Sequence, residues 1–363
     1  MAVKPKLFLH VGPGKTGSSA IQQWLLDRAA ALREDGILYP VPEGISQFEG
    51  NAAILVHWLR DVVIQDDEAY RAELRTLLLS YRQEVQDSGC DTLILSEEQL
   101  AGAKPGQLAH FKSVAGEIFD LRVIIVARHP YAWLWSSWGQ WVKKGGEHRD
   151  FAQFARDCSP FYYLSYRDYL DQFDDELQVL AYSADAIVCD FAAAIGVDGE
   201  RHRVKAAQAR RINRSLSRSE LQILRRLNRI FERPELSARI SGHMIAQRPE
   251  AVVHIEMDRD VLAGVEAYRH PTMQRLEQRT PGCVQLPATS PKHDGDGNEL
   301  PMSLDLLEQI VLAVEADTLD HARAPVAATQ ATASPRRRWP AFIRTPYKWC
   351  RRRWAATRTR SQP

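Results

Sequence analysis

Apolar residues follow two alternating rhythms along this 363-residue chain. Short, almost unbroken apolar runs stand at residues 7–11 (Leu-Phe-Leu-His-Val), 37–40, 92–95, 121–127 (Leu-Arg-Val-Ile-Ile-Val-Ala) and 177–182. Runs of this length, rich in branched residues and lacking polar alternation, predict strands buried on both faces. Between them the period lengthens. Ile21, Trp24, Leu25 and Leu32 fall at i, i+3, i+4 and i+11, and Tyr70, Leu74, Leu77, Leu78, Tyr81 and Val85 share one helical face. Further helical patterns cover residues 52–64, 106–119, a stretch opening at Pro130, the tyrosine-rich 161–173, 184–195, 216–231 and 303–316. Residues 232–300 show only short patterns broken by loop punctuation. Strands alternating with helices predict right-handed βαβ units, hence an α/β fold with a central, mainly parallel sheet between helical layers. Ligands of such sheets gather beyond the C-terminal strand ends. That rule brings residues 12–19, the pair Glu97-Glu98 and Arg128 to one rim.

The first of these segments reads Gly12-Pro13-Gly14-Lys15-Thr16-Gly17-Ser18-Ser19, between a strand and a helix. Unpaired N–H groups at a helix start, the helix dipole, a lysine and three hydroxyls together predict an anion cradle. A Walker A loop requires G-x-x-x-x-G-K-[ST]. Gly14-Lys15-Thr16 fits its second half, but Leu9 stands where its first glycine belongs, and neither neighbouring strand ends in an aspartate. The spacing Gly12-x-Gly14-x-x-Gly17 also matches a dinucleotide fingerprint, without the acidic residue that should end a second strand.

Composition adds limits. The apolar content of 45% and charged content of 26% are those of a globular protein. The five cysteines are scattered without CxxC spacing, which predicts reduced thiols and no zinc site. No apolar run approaches the roughly 18–20 residues of a spanning helix, and the N-terminus has no signal-peptide pattern, so the expectation is a cytoplasmic protein. His293-Asp-Gly-Asp-Gly-Asn298 lacks the glycine and the twelfth-position glutamate of an EF-hand, and reads as a solvated turn. The net charge of +1 conceals ten basic and no acidic residues from Arg336 onward, leaving −9 on residues 1–335. The expected organisation is one α/β domain over residues 1–321, an Ala/Thr/Pro linker at 322–335, and a basic aromatic tail at 336–363. The tail interleaves arginines with Trp339, Phe342, Tyr347, Trp349 and Trp354. It suits an anionic membrane surface at the inner face of the membrane, with non-specific nucleic-acid binding and a disordered solubilising tail as competing readings. No specific nucleic-acid partner is expected.

The loop 12–19 resembles the 5′-phosphosulfate loop of sulfotransferases that use 3′-phosphoadenosine 5′-phosphosulfate (PAPS). It is closest to the G-x-x-K-T-G-[ST]-[ST] form of carbohydrate sulfotransferases and their bacterial relatives. Residues 123–130 (Val-Ile-Ile-Val-Ala-Arg-His-Pro) followed by Ser136 are similar to that family's 3′-phosphate element, an arginine with a serine eight residues later. Arg211-Ile212-Asn213-Arg214-Ser215-Leu216-Ser217 also looks like a segment of its bacterial members. The resemblance spans roughly residues 5–230. It implies a P-loop-NTPase-like three-layer fold with helical additions, PAPS as co-substrate, no metal, and a hydroxyl- or amine-bearing acceptor such as a carbohydrate. It further implies that Lys15 stabilises charge on the departing bisphosphate, while Gly14, Thr16, Gly17, Ser18 and Ser19 hold the 5′-phosphate. Arg128 and Ser136, with Arg210, Arg211 and Asn213 from a connector, would bind the 3′-phosphate. A general base must reach the acceptor. Glu98 is the first candidate, with Glu97 beside it, Glu43 a rival and His57 a third. One glutamate of the pair 97–98 can instead cap a helix. The tryptophans at 135, 138 and 141 read as core or as a sugar-stacking platform, and Lys143, Lys144 and Arg149 as a local basic rim. A small-molecule kinase and a nucleotide-binding protein without turnover are the alternatives to a sulfotransferase.

Overall fold

The computed structural model describes residues 3–41, 50–198, 215–247, 258–267 and 271–285, and position 314. In chain order the elements are β1 (Lys6–Val11), α1 (Ser18–Glu34), β2 (Ile37–Leu38) and α2 (Ala53–Val56), the last running into a π-helical turn, His57–Asp61. Then come α3 (Asp67–Asp87), β3 (Thr92–Ser96), a 3₁₀ turn Glu98–Gly102, α4 (Pro105–Ile118), β4 (Asp120–Ala127), α5 (Pro130–Lys144) and α6 (Phe151–Gln172). The remainder is β5 (Leu177–Ala181), α7 (Ile187–Ala194), α8 (Arg218–Phe231), α9 (Pro234–Gln247), α10 (Arg259–Ala267) and α11 (Pro271–Arg279).

The five strands among the described residues pair in parallel in the order β2-β3-β1-β4-β5. Leu9 of the central strand stands opposite Leu95 on one side and Val123 on the other. The chain leaving β1 travels towards β2, whereas the chain leaving β4 travels towards β5. The order therefore reverses between β1 and β4, and the crevice beyond their C-terminal ends is where such a sheet offers a ligand site.

Contacts divide the chain into two compact units. The first, Met1–Trp133, Tyr162–Ile212 and Asp258–Ala288, contains the sheet. On one face Phe8, Ile94, Ile124, Val126 and Leu180 pack against Ile21, Trp24, Leu25 and Leu32 of α1 and Ile187 and Phe191 of α7. Alternate residues such as Leu7, Leu9, Leu93 and Val123 point the other way and are wholly buried. Each such side chain contributes about 1.5–3 kcal/mol by leaving water. The helices start where their sequences permit. Asp66 Oδ1 accepts from the Glu68 and Ala69 N–H groups at 2.8 and 3.1 Å to cap α3.

The second unit, Leu134–Phe161, Asn213–Met257 and Thr289–Pro363, contains α8 and α9. Ser217 and Glu220 close a capping box on α8. Buried Asn228 donates to the Val142 and Glu147 carbonyls at 2.9 and 2.8 Å and accepts from Ser237. Trp135 and Trp138 pack edge to face or tilted against Phe151, with centroids 4.9 and 5.6 Å away.

Several elements differ from the sequence reading. The strand expected at 37–40 pairs only at Ile37–Leu38, because Pro40 has no N–H to give the ladder. The helix expected over 52–64 is four α-helical residues and a π turn that ends where Val62 turns extended. Residues 232–300 contain α9, α10 and α11, which the periodicity did not resolve. The helix expected at 303–316 and the tail lie outside the described residues, position 314 excepted.

Candidate functional site

The loop leaving β1 holds Gly12, Lys15 and Gly17 at positive φ. Gly17, with φ = 93°, is the residue before α1; that backbone conformation favours glycine, and a Cβ there would press on Ile187 Cγ2 at 3.1 Å. Lys15 adopts φ = 73°, a conformation that costs a non-glycine residue about 1 kcal/mol or more. Buried Thr16 donates through Oγ1 to the Pro13 carbonyl at 2.9 Å and so ties the turn to itself. No side chain caps α1, which leaves its first N–H groups directed beyond the helix end.

Two side chains from the β4–α5 segment reach this loop. Arg128 Nη1 donates to the Lys15 carbonyl at 2.6 Å, and Trp133 Nε1 donates to the Gly14 carbonyl at 2.8 Å. The Arg128 guanidinium lies 4.4 Å from the centroid of the Tyr182 ring. Burial lowers its affinity for the proton, and Tyr182, Tyr166 and Tyr162 oppose that effect. Among the described residues Ser18 Oγ and Arg128 Nε are buried here with no hydrogen-bond partner. Orphaned donors beside a lysine loop fit an anionic ligand such as a phosphorylated nucleotide.

The strand ends are fixed from α6. Tyr162 donates to the Arg128 carbonyl, Tyr166 to Val126 at 2.9 Å, and Tyr169 to Leu100 at 2.7 Å. Spacings of four and three place these hydroxyls on one helical face. That face was visible in the sequence as a tyrosine-rich stretch, but its partners were not.

The adjacent glutamates part company. Glu97 caps the 3₁₀ turn, accepting from the Gln99 N–H at 3.1 Å, and is buried against Gly50. Glu98 faces the loop: a Cβ on Gly14 would come within 3.3 Å of its Oε2. Burial pushes the Glu98 carboxyl up, and the Lys15 ammonium pulls it back. Sequence reasoning missed His10, the next-to-last residue of β1. Its Nδ1 shares a 2.8 Å hydrogen bond with Ser96 Oγ, to which Gln22 also donates at 3.3 Å, and its buried Nε2 has no hydrogen-bond partner among the described residues. Burial lowers its pKa to about 4.

The remaining candidates stand elsewhere. His57 is exposed on the π turn. Ser136 is a half-buried residue of α5 within the second unit. Glu43, Arg210, Arg211 and Asn213 lie outside the described residues. Arg149 does not serve a free basic rim, because Glu147 and Asp157 both pair with it. An open cleft of about 740 Å³ lies beside His129 and Pro130, lined also by Val265, Met273, Glu277 and Val284. Among the described residues no His, Cys, Asp and Glu side chains cluster as metal ligands, and no helix is long and apolar enough to cross a membrane.

No family model and no curated protein matches the chain. Among solved structures it is similar to a sulfotransferase from Alicyclobacillus acidocaldarius at 15% identity and a TM-score of 0.39, covering 76% of this chain and 96% of that one. It is also similar to retinol dehydratase in complex with androsterone and the inactive cofactor PAP, at 10% identity and a TM-score of 0.31, covering 79% and 84% of the two chains. In this chain's own geometry, the lysine loop, Arg128 and Glu98 meet beyond the central strands of a parallel α/β sheet.

Proposed function

We propose that this chain is a sulfotransferase that moves a sulfuryl group from PAPS to a hydroxyl or amine acceptor, with a carbohydrate as the acceptor class. The observation that carries this reading is the junction of the lysine loop with Arg128, which brings two anion-ready segments, 113 residues apart in sequence, into hydrogen bond. The form of the two motifs, G-x-x-K-T-G-S-S and an arginine eight residues before a serine, favours PAPS over other nucleotides. The carbohydrate acceptor draws support from the loop's likeness to that branch.

When bound, the donor supplies an activated sulfuryl group whose in-line transfer passes through a loose, charge-separated transition state. Lys15 brings an ammonium to the loop, where it offsets charge developing on the leaving side. Thr16, Gly17, Ser18 and Ser19 hold the 5′-phosphate through backbone N–H groups and the Ser18 hydroxyl. Arg128 takes the 3′-phosphate, a role that the resemblance to the family's motifs gives also to Ser136, Arg211 and Asn213. Glu98 takes the acceptor proton. Its raised pKa makes it a stronger base than an ordinary carboxylate, and its place beside Gly14 sets it at the loop. Glu43 is the rival base.

Incubation with PAPS and a panel of sugars should release the 3′,5′-bisphosphate, and Lys15→Ala should lower kcat by about 10²–10³. Magnesium-dependent turnover of ATP, with none of PAPS, would point to a small-molecule kinase. Nucleotide binding without transfer to any acceptor would leave a binding protein.

A further inference from the structure

Two successive carbonyls of the lysine loop are held from one segment. Trp133 Nε1 holds that of Gly14, and Arg128 Nη1 holds that of Lys15. A peptide unit is planar and trans, so its N–H points opposite to its C=O. A Gly14 carbonyl turned towards Trp133 therefore sets the Lys15 N–H in the reverse direction, and the Arg128 bond does the same for the Thr16 N–H. Between the two bonds falls the left-handed Lys15. Trp133 is 5% exposed, and its ring lies 5.3 Å from that of Tyr162, which donates to the Arg128 carbonyl. Tyrosine, tryptophan, arginine and loop thus form one closed circuit. Packing alone would accept phenylalanine at 133, but only a ring N–H reaches the Gly14 carbonyl.

We propose that Trp133 is a positioning residue: its indole N–H, beside Arg128, turns the Lys15 and Thr16 N–H groups towards the 5′-side phosphate of the nucleotide. This rests on the nucleotide reading given above. Calorimetry with two ligands separates the possibilities, because 3′,5′-adenosine bisphosphate carries the 5′-phosphate and adenosine 3′-monophosphate does not. Trp133→Phe should weaken the bisphosphate at least about tenfold, the scale of one lost hydrogen bond to a charged group, and leave the monophosphate unchanged. Trp133→His, which restores a ring donor, should recover part of the loss. An equal loss for both ligands, or none, overturns the positioning role. Should Trp133→Phe fail to fold, hydrogen exchange of the Trp133 indole proton in the wild-type chain answers instead. Slow exchange that slows further with the bisphosphate is expected, and rapid exchange overturns the proposal. A wild-type chain that does not prefer the bisphosphate overturns the nucleotide reading itself, and the positioning role with it. A preference of unchanged size in Trp133→Phe overturns the positioning role alone.

Discussion

Glu98 lies beside Gly14 and feels the Lys15 ammonium, and their coupling is the most testable chemistry at the scale of single residues. A carboxylate base works only when deprotonated. Because burial raises the Glu98 pKa, the active fraction should climb with pH through a limb above the ordinary carboxylate range. Lys15 opposes that rise, so Lys15→Ala should move the limb of the residual activity to higher pH. Glu98→Gln should abolish the limb and lower kcat by about 10²–10⁴. A pH–rate profile of the three proteins checks this, and an unmoved limb in Lys15→Ala would remove Glu98 from the role. Only part of this was legible beforehand. That a glutamate of the pair 97–98 could cap a helix followed from its place after a strand, but which one did so depends on packing. Gly50 decides it: a Cβ there would sit 1.9 Å from the Ser96 carbonyl, so the chain at residue 50 presses against the strand end and encloses Glu97.

At the scale of elements, β1 and the start of α5 each bury a neutral histidine. Burial lowers His10 and His129 from 6.5 to about 4. Between those values the unfolded chain takes up protons that the folded chain refuses. Their contribution to stability is full above pH 6.5, declines as the pH falls, and levels off below pH 4. The slope is about 1.4 kcal/mol per pH unit for each histidine, on the order of 3 kcal/mol in all for each. Glu98, raised by burial, has the opposite sign and offsets part of this. Denaturant unfolding at pH 6.5 and 4.5 should show the loss, and His10→Gln should flatten it by about half; identical midpoints for the wild type at both pH values would contradict the buried neutral state. The strands were readable because unbroken apolar runs admit few alternatives. Helices α9 to α11 were not, α10 and α11 having only nine residues each, although Pro234 and Pro271 at first helical positions and Asp258 before α10 are start signals. Trp133 was not singled out in the sequence, since it stands outside the apolar stripe of residues 135, 138 and 141. Its N–H matters because a loop 119 residues away in sequence offers a carbonyl, which no local pattern encodes.

Across the whole molecule, strand order does most to make the site. Only with β1 central and the order reversing between β1 and β4 do Lys15 and Arg128 become neighbours. Alternating elements predicted a parallel sheet and one ligand rim, but not which loops would touch. The central claim is that this junction binds a nucleotide carrying both a 3′- and a 5′-phosphate. Calorimetric titration of the folded wild-type chain with 3′,5′-adenosine bisphosphate, beside Lys15→Ala and Arg128→Ala, tests it most directly. The account predicts saturable one-to-one binding by the wild type and a loss of about tenfold or more in each variant. No heat of binding from the folded wild type, or equal affinity in all three proteins, would contradict it.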